Sequence, residues 1–109
     1  MNSDVLMVLT NLPSRESAEK LASELVARRL AACVNMLAPC RSVYRWQDKI
    51  QCGDEYPMLI KTTQDRYAAL EEAIRAMHPN ELPEIIAVQV VEGLPAYLQW
   101  VDTETQPLH

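Results

Sequence analysis

Two nearly unbroken apolar runs, one towards each end of the chain, constrain the fold more than any other feature. Val5-Leu6-Met7-Val8-Leu9 and Ile85-Ile86-Ala87-Val88-Gln89-Val90-Val91 are apolar at nearly every position. The first ends at Thr10-Asn11-Leu12-Pro13 and the second is bracketed by Pro83 and Gly93, lengths and flanks that suit strands. A strand covered on one side only alternates apolar with polar residues, so these two ask for burial on both faces.

The stretch between them supplies the remaining elements. Ser14 is placed to cap a helix with Glu16 and Glu19 in its first turns and Arg28-Arg29 in its last, each complementing the helix dipole. Ala18, Leu21, Ala22, Leu25 and Val26 make its apolar face. Ala31 to Ile50 reads as a long strand broken at Pro39, followed by a turn at Gln47-Asp48-Lys49 in which Asp48 takes a left-handed conformation. A return strand runs from Ile50 to Thr63 and is strongest at Met58-Leu59-Ile60. Thr63 or Asp65 caps a second helix with Tyr67, Leu70, Ala73, Ile74 and Met77 on one face, and Pro79 stops it. Pro95 opens a short tail helix, Ala96 to about Val101, burying Tyr97, Leu98 and Val101 or Trp100, and Thr103 to His109 is polar and expected to fray.

The order β-α-β-β-α-β defines an α+β, ferredoxin-like sandwich with a long β2-β3 hairpin and a short C-terminal helix. Both main helices then lie on one face of a four-stranded antiparallel sheet. The opposite face has only the tail helix to cover it, so a second copy of the chain is the simplest cover. At 109 residues this is a single domain with an ordered core of about 4–102, large enough to fold without disulfide or structural metal.

Composition narrows the function. A formal charge of -5 disfavours a phosphate backbone as partner. Cys33, Cys40 and Cys52 are odd in number and form no C-x-x-C, so a reducing cytoplasm suits them. Asp4 stands where a secretory leader would be basic, and Val5 to Leu9 is too short to span a bilayer. RNA-binding members of this architecture carry a Lys/Arg-Gly-aromatic motif, and this chain has no Phe and no such run. Acylphosphatase-like chemistry wants a glycine-rich anion loop with Arg after the first strand, which Thr10-Asn11-Leu12-Pro13 does not supply. A thiol nucleophile needs a nearby base, and no Cys is near His78 in sequence, so no enzyme activity is expected.

Leu30-Ala31-Ala32-Cys33-Val34-Asn35, Ser42-Val43-Tyr44-Arg45-Trp46, Leu59-Ile60-Lys61-Thr62, His78-Pro79, Pro83-Glu84-Ile85 and Tyr97-Leu98-Gln99-Trp100 together resemble the CutA family of divalent-cation tolerance proteins. The likeness runs from Val5 to about Val101 with blocks in the family's order. It implies a cytoplasmic homotrimer shaped like the PII signalling proteins, with sheets facing the trimer interior. It also implies a role in metal tolerance and weak binding of copper or another divalent cation. The family's proposed copper ligands, a Cys closing the first strand and two adjacent His ending the second helix, fall on Thr10, Met77 and His78. One of the three is unchanged, Met77 favours Cu(I), and Thr10 is a poor ligand for a soft metal. Asp48 and Asn80 replace the family's usual Gly and Tyr.

Several side chains carry two readings each. Cys33 is either a small core hydrophobe or a ligand, and His78 either caps a helix C-terminus or binds metal. Cys40 and Cys52 are expected to be exposed; in regular register Cys40 faces position 55 or 56, several residues from Cys52. Glu84, a carboxylate at the start of an apolar strand, needs a partner if buried, and Lys61 is the candidate. Tyr44 and Trp46 share one strand face and either clamp a neighbouring subunit or stack on a ligand. A PII-like alternative to metal tolerance has Lys61, Arg45 and Glu84 binding an anionic or other small molecule in clefts between subunits. No nucleic acid or membrane is expected as a partner.

Overall fold

The computed structural model describes residues 4–107, in the order β1 (Val5–Leu12), α1 (Arg15–Ala27), β2 (Cys33–Met36), β3 (Cys40–Trp46), β4 (Lys49–Thr63), α2 (Gln64–Met77), β5 (Ile85–Gln89) and α3 (Pro95–Glu104). β4 organises the sheet. Its C-terminal half pairs with β1 from Thr63↔Val5 to Tyr56↔Leu12, and its other side pairs with β2 from Cys33↔Lys61 to Met36↔Met58. β5 adds to the free side of β1, giving the order β2-β4-β1-β5, every pair antiparallel. The architecture is the ferredoxin-like α+β sandwich that the element order predicts.

The N-terminal half of β4 pairs with β3, from Cys40↔Glu55 to Trp46↔Lys49, and this ribbon projects as an arm. It stretches the molecule to 47 × 28 × 23 Å. Pro39 produces the expected interruption, which separates β2 from β3, and Leu37 N–H still donates to Pro57 O at 2.9 Å across the break. The arm's turn is tighter than the sequence suggests. Lys49 is already paired, and Gln47 and Asp48 alone make the loop, both left-handed at φ 50° and 65°, the backbone that lets a two-residue hairpin follow the twist of its strands.

Leu6, Val8, Leu12, Met58 and Ile60 form one sheet face and pack against Leu21 and Leu25 of α1 and Leu70 and Ile74 of α2, all buried. The Ser14 hydroxyl accepts from Ser17 N–H at 3.1 Å, the cap read from the sequence, whereas Thr63 occupies the α2 cap position without a side-chain bond. Arg28 and Arg29 do not sit in the last turn of α1. Arg28 is its C-cap, and Arg29 follows at φ 59°, with Arg29 N–H bonded to Val26 O and Leu30 N–H to Leu25 O. That is a Schellman ending with arginine in the position glycine usually fills. Val26, counted with the apolar face, lies 44% exposed on its flank.

The opposite sheet face carries Met7, Leu9, Leu59, Ile86 and Val88 in register. Ile86 and Val88 are 51% and 52% exposed, so burial on both faces of β5 is not reached within one chain. α3 lies against β1 and β4 and covers one end of this face, where Val5 and Thr63 are buried beside a buried Val101. Loss of solvent contact, then the nearby Cys33, raises the Tyr97 phenol above its ordinary range. α3 extends to Glu104, beyond the expected end near Val101, and Thr105 is buried; its hydroxyl donates to Val101 O at 2.8 Å. The expected fraying therefore does not include residues 103–105, and residues 108–109 lie outside the described residues. Tyr97 and Trp100 are partly exposed, with ring centroids 5.6 Å apart. β5 ends at Gln89 rather than Val91, although Val90 N–H still donates to Val5 O.

Candidate functional site

Four functional candidates from the sequence, Thr10, Met77, His78 and Glu84, lie where β1 ends, α2 ends and the chain enters β5. His78 is the C-cap of α2 and has left helical geometry at ψ 131°, as a residue before proline tends to do. Its buried ring faces Asn11. Nδ1 accepts from Asn80 N–H at 3.1 Å, which places the ring proton on Nε2, and Nε2–H donates to Asn11 O at 2.6 Å. Asn11 Nδ2 donates in turn to Glu84 Oε1 at 2.8 Å. One imidazole thus ties the end of β1 to the 79–84 loop, and Asn11 orients the carboxylate at the mouth of β5.

Thr10 precedes Asn11 and Met77 precedes His78, but both bring little donor capacity. Thr10 is fully buried between Met58 and Ile85, and its hydroxyl has no hydrogen-bond partner. Met77 packs against the core as a thioether. With both His78 nitrogens committed, these positions offer a neutral hydroxyl and a thioether, and they do not fit a Cu(II) ion, which prefers nitrogen and oxygen in a tetragonal set. Among the described residues no three His, Cys, Asp or Glu side chains converge to hold a metal ion.

Glu84 opens onto a cleft of about 820 Å³ between the arm and the 79–84 loop, with Tyr44, Trp46, Glu55 and Glu81 along its walls and Arg45 at its rim. Alternation along β3 puts Ser42, Tyr44 and Trp46 on one face of the arm and Arg41, Val43 and Arg45 on the other. Lys61 is not part of this cleft. It lies opposite Cys33 and Met7 on the second sheet face and donates to Asn35 Oδ1. The anticipated Glu84–Lys61 pair is therefore replaced by Glu84–Asn11 and Lys61–Asn35, because Glu84 precedes β5 and stays exposed.

The three thiols are also separated. Cys40 pairs with Glu55, the register read from the sequence, whereas Cys52 pairs with Val43 on the arm's other face. Arg41 reaches Cys52 Sγ at 3.3 Å and Asp54 at 3.2 Å, and Asp54 foremost raises its guanidinium above the ordinary value. Cys33 is half-buried. The sequence reading missed two structural contacts: the bridging role of Asn11, a polar residue after an apolar run with no motif around it, and the reach of Arg29 to α3, which no local spacing signals.

A ferredoxin-like subunit with a projecting hairpin arm, a tail helix on its second sheet face and a cleft under the arm defines a distinct class of small α+β proteins. The family model described as CutA1 divalent ion tolerance protein matches residues 6–104. The chain belongs to that family. The divalent-cation tolerance protein CutA of Thermus thermophilus is 41% identical over 99 residues, 91% of this chain and 96% of that one. The structure of CutA from Xylella fastidiosa superposes with a TM-score of 0.92 at 46% identity, covering 95% of this chain and all of that one. That of Archaeoglobus fulgidus, described as a periplasmic divalent cation tolerance protein, gives 0.91 at 33% identity over 94% of this chain and 99% of its own. The chain spans little more than half, 56%, of the chloroplastic CutA of Arabidopsis thaliana.

Proposed function

We propose that this protein works as a cytoplasmic homotrimer in tolerance to divalent metal ions, binding copper or another divalent cation weakly and catalysing no reaction. The observation that carries the assembly is the strip Met7, Leu9, Leu59, Ile86 and Val88, apolar and open on the sheet face away from α1 and α2. Each Å² of such surface removed from water contributes about 25 cal/mol, and another copy offers the same strip. The arm supports the same reading. An isolated two-stranded ribbon is marginal in water, and this one carries Val43 and Ile50, both 70% exposed, on one face and Tyr44 and Trp46 on the other.

Family membership supports the divalent-cation role. Weak binding follows from the donor set, since His78 has no free lone pair and Cys40 and Cys52 face opposite ways. Three unpaired thiols suit a reducing compartment. No helix of the described residues is long and apolar enough to cross a membrane, and the charge of -5 disfavours nucleic acid. Light scattering at micromolar concentration tests the assembly: three times the 12.4 kDa chain mass is expected, and a monomer refutes it. Calorimetric titration with Cu(II), and with Cu(I) under reducing conditions, tests the cation reading; no binding of either refutes it.

A second reading has the cleft under the arm sensing a small molecule between copies, as in PII-like trimers. Arg45 and Glu84 both border that cleft. Lys61 stands eleven residues along β4 from Ile50, the cross-strand partner of Arg45, about 37 Å at ~3.4 Å per residue. The three meet only if different copies contribute them. A small anion retained by the trimer and released by Arg45→Ala would favour this reading.

A further inference from the structure

The arm presents two unlike faces. Its outer face carries Arg41, Val43 and Arg45 of β3 opposite Asp54, Cys52 and Ile50 of β4. Val43 and Ile50 are its apolar centre, both largely exposed, and Arg41 is paired with Asp54. Arg45 is exposed and makes no ion pair among the described residues, so this face sets a cation beside an apolar patch.

The inner face has the opposite character. Tyr44 and Trp46 wall the cleft with Leu82 and three carboxylates, Glu55, Glu81 and Glu84, and among the described residues Arg45 at the rim is its one cation. Lys49, which pairs with Trp46 at the tip, lies outside the wall. The Asn11 amide holds Glu84 in place. An acidic, aromatic hollow and a basic, apolar ridge thus lie back to back on one ribbon. A trimer closes by three-fold rotation, so each of its interfaces is heterologous and joins two different patches, one from each copy. The hollow and the ridge are such a pair.

We propose that, in the trimer, the cleft of each copy receives the outer face of the next copy's arm. Val43 and Ile50 seat against Tyr44, Trp46 and Leu82, and the incoming Arg45 meets Glu81 and Glu84. This rests on the trimeric assembly proposed above. The three arms then stack in a closed ring at the spacing of packed sheets, about 10 Å, and each gains the cover that an isolated two-stranded ribbon lacks. Charge fixes the direction of stacking: ridge on ridge would set Arg45 against Arg45, and hollow on hollow would set carboxylate against carboxylate.

The test uses the full chain with Cys33→Ser and Cys40→Ser, which leaves Cys52 on the outer face, and adds Leu82→Cys at the cleft. A short bis-maleimide is applied to this chain and to its counterpart that keeps Leu82. Covalent trimers are expected from the Leu82→Cys chain and none from the counterpart, because one thiol per copy joins at most two chains. Arg45→Glu in the Leu82→Cys background should lower the yield of covalent trimer at least about tenfold at low salt, and adding Glu81→Lys with Glu84→Lys should restore most of it. Light scattering separates the two readings. A chain that scatters as a trimer yet gives no covalent trimer overturns the arm-in-cleft contact and leaves the assembly standing, whereas a monomer overturns the assembly and this contact with it. An internally linked monomer as the sole product, or a small molecule found in the cleft of the native trimer by mass spectrometry, overturns the contact as well.

Discussion

Thr10→Val isolates a feature that secondary-structure reasoning does not reveal, a fully buried hydroxyl with no hydrogen-bond partner. Leaving such a group unpaired costs about 1–3 kcal/mol, and valine replaces it with a methyl of similar shape on the same β-branched scaffold. The neighbours across the sheet, Met58 and Ile85, are apolar and suited to receive it. A gain of about 1–2 kcal/mol is expected, with the thermal midpoint rising by about 4–8 °C for each kcal/mol in a domain of this size. Thr10→Ser is the control. It keeps the hydroxyl and loses the methyl, so it should destabilise by about 1 kcal/mol. Urea unfolding must be run at one protomer concentration, because the proposed assembly would add a concentration-dependent term. The expected stability order is Val above Thr above Ser. A Thr10→Val variant less stable than the parent refutes the reasoning, since the hydroxyl would then have to bond something that a single chain does not contain.

Removing the imidazole in His78→Ala should cost about 2–4 kcal/mol, because Asn11 O and Asn80 N–H both lose a partner; Cu(II) affinity should change little, and tight Cu(II) binding lost in this variant would contradict the structural role. Trp46→Ala should weaken assembly by about 2 kcal/mol or more, with secondary structure retained by circular dichroism; an unchanged trimer of unchanged thermal stability counts against an interfacial arm. Asp48→Gly should stabilise by about 0.5–1 kcal/mol in urea unfolding, because φ at Asp48 is 65°; a loss of stability would mean that the Asp48 side chain holds the turn. Desolvation first, then Cys33, raises the Tyr97 phenol when folded, so its contribution is complete below the ordinary phenol value and is lost as pH rises through the folded one. Tyr97→Phe should therefore flatten the alkaline loss of stability without abolishing it, since desolvation, then Glu71, also raises Tyr67.

Element order, helix faces and the Cys40–Glu55 register were legible because each depends on local periodicity. Val8, Leu21, Leu25, Leu70 and Ile74 announce a core through spacing alone, and they are among the residues most fully buried. The misreadings occur where a distant partner decides. Arg28 and Arg29 look like helix-terminal cations for α1, yet the Arg29 guanidinium serves the C-terminal end of α3, 74 and 77 residues away at Thr103 and Gln106. Glu84 and Lys61 look complementary in charge, yet each finds an amide: the end of β1 places Asn11 beside one, and the β2 register places Asn35 beside the other. His78 has the composition of a ligand and the surroundings of a bracket. What separates those roles is the direction of two lone pairs, which depends on the tertiary placement of Asn11 and Asn80. The apolar character of β5 was legible in full, but its consequence was not confined to one chain, because Ile86 and Val88 face a sheet surface that α3 covers only at one end. Apolar residues on both faces of an edge strand are legible as a demand for cover, but what supplies that cover is not written in local periodicity, and α3 meets the demand only in part.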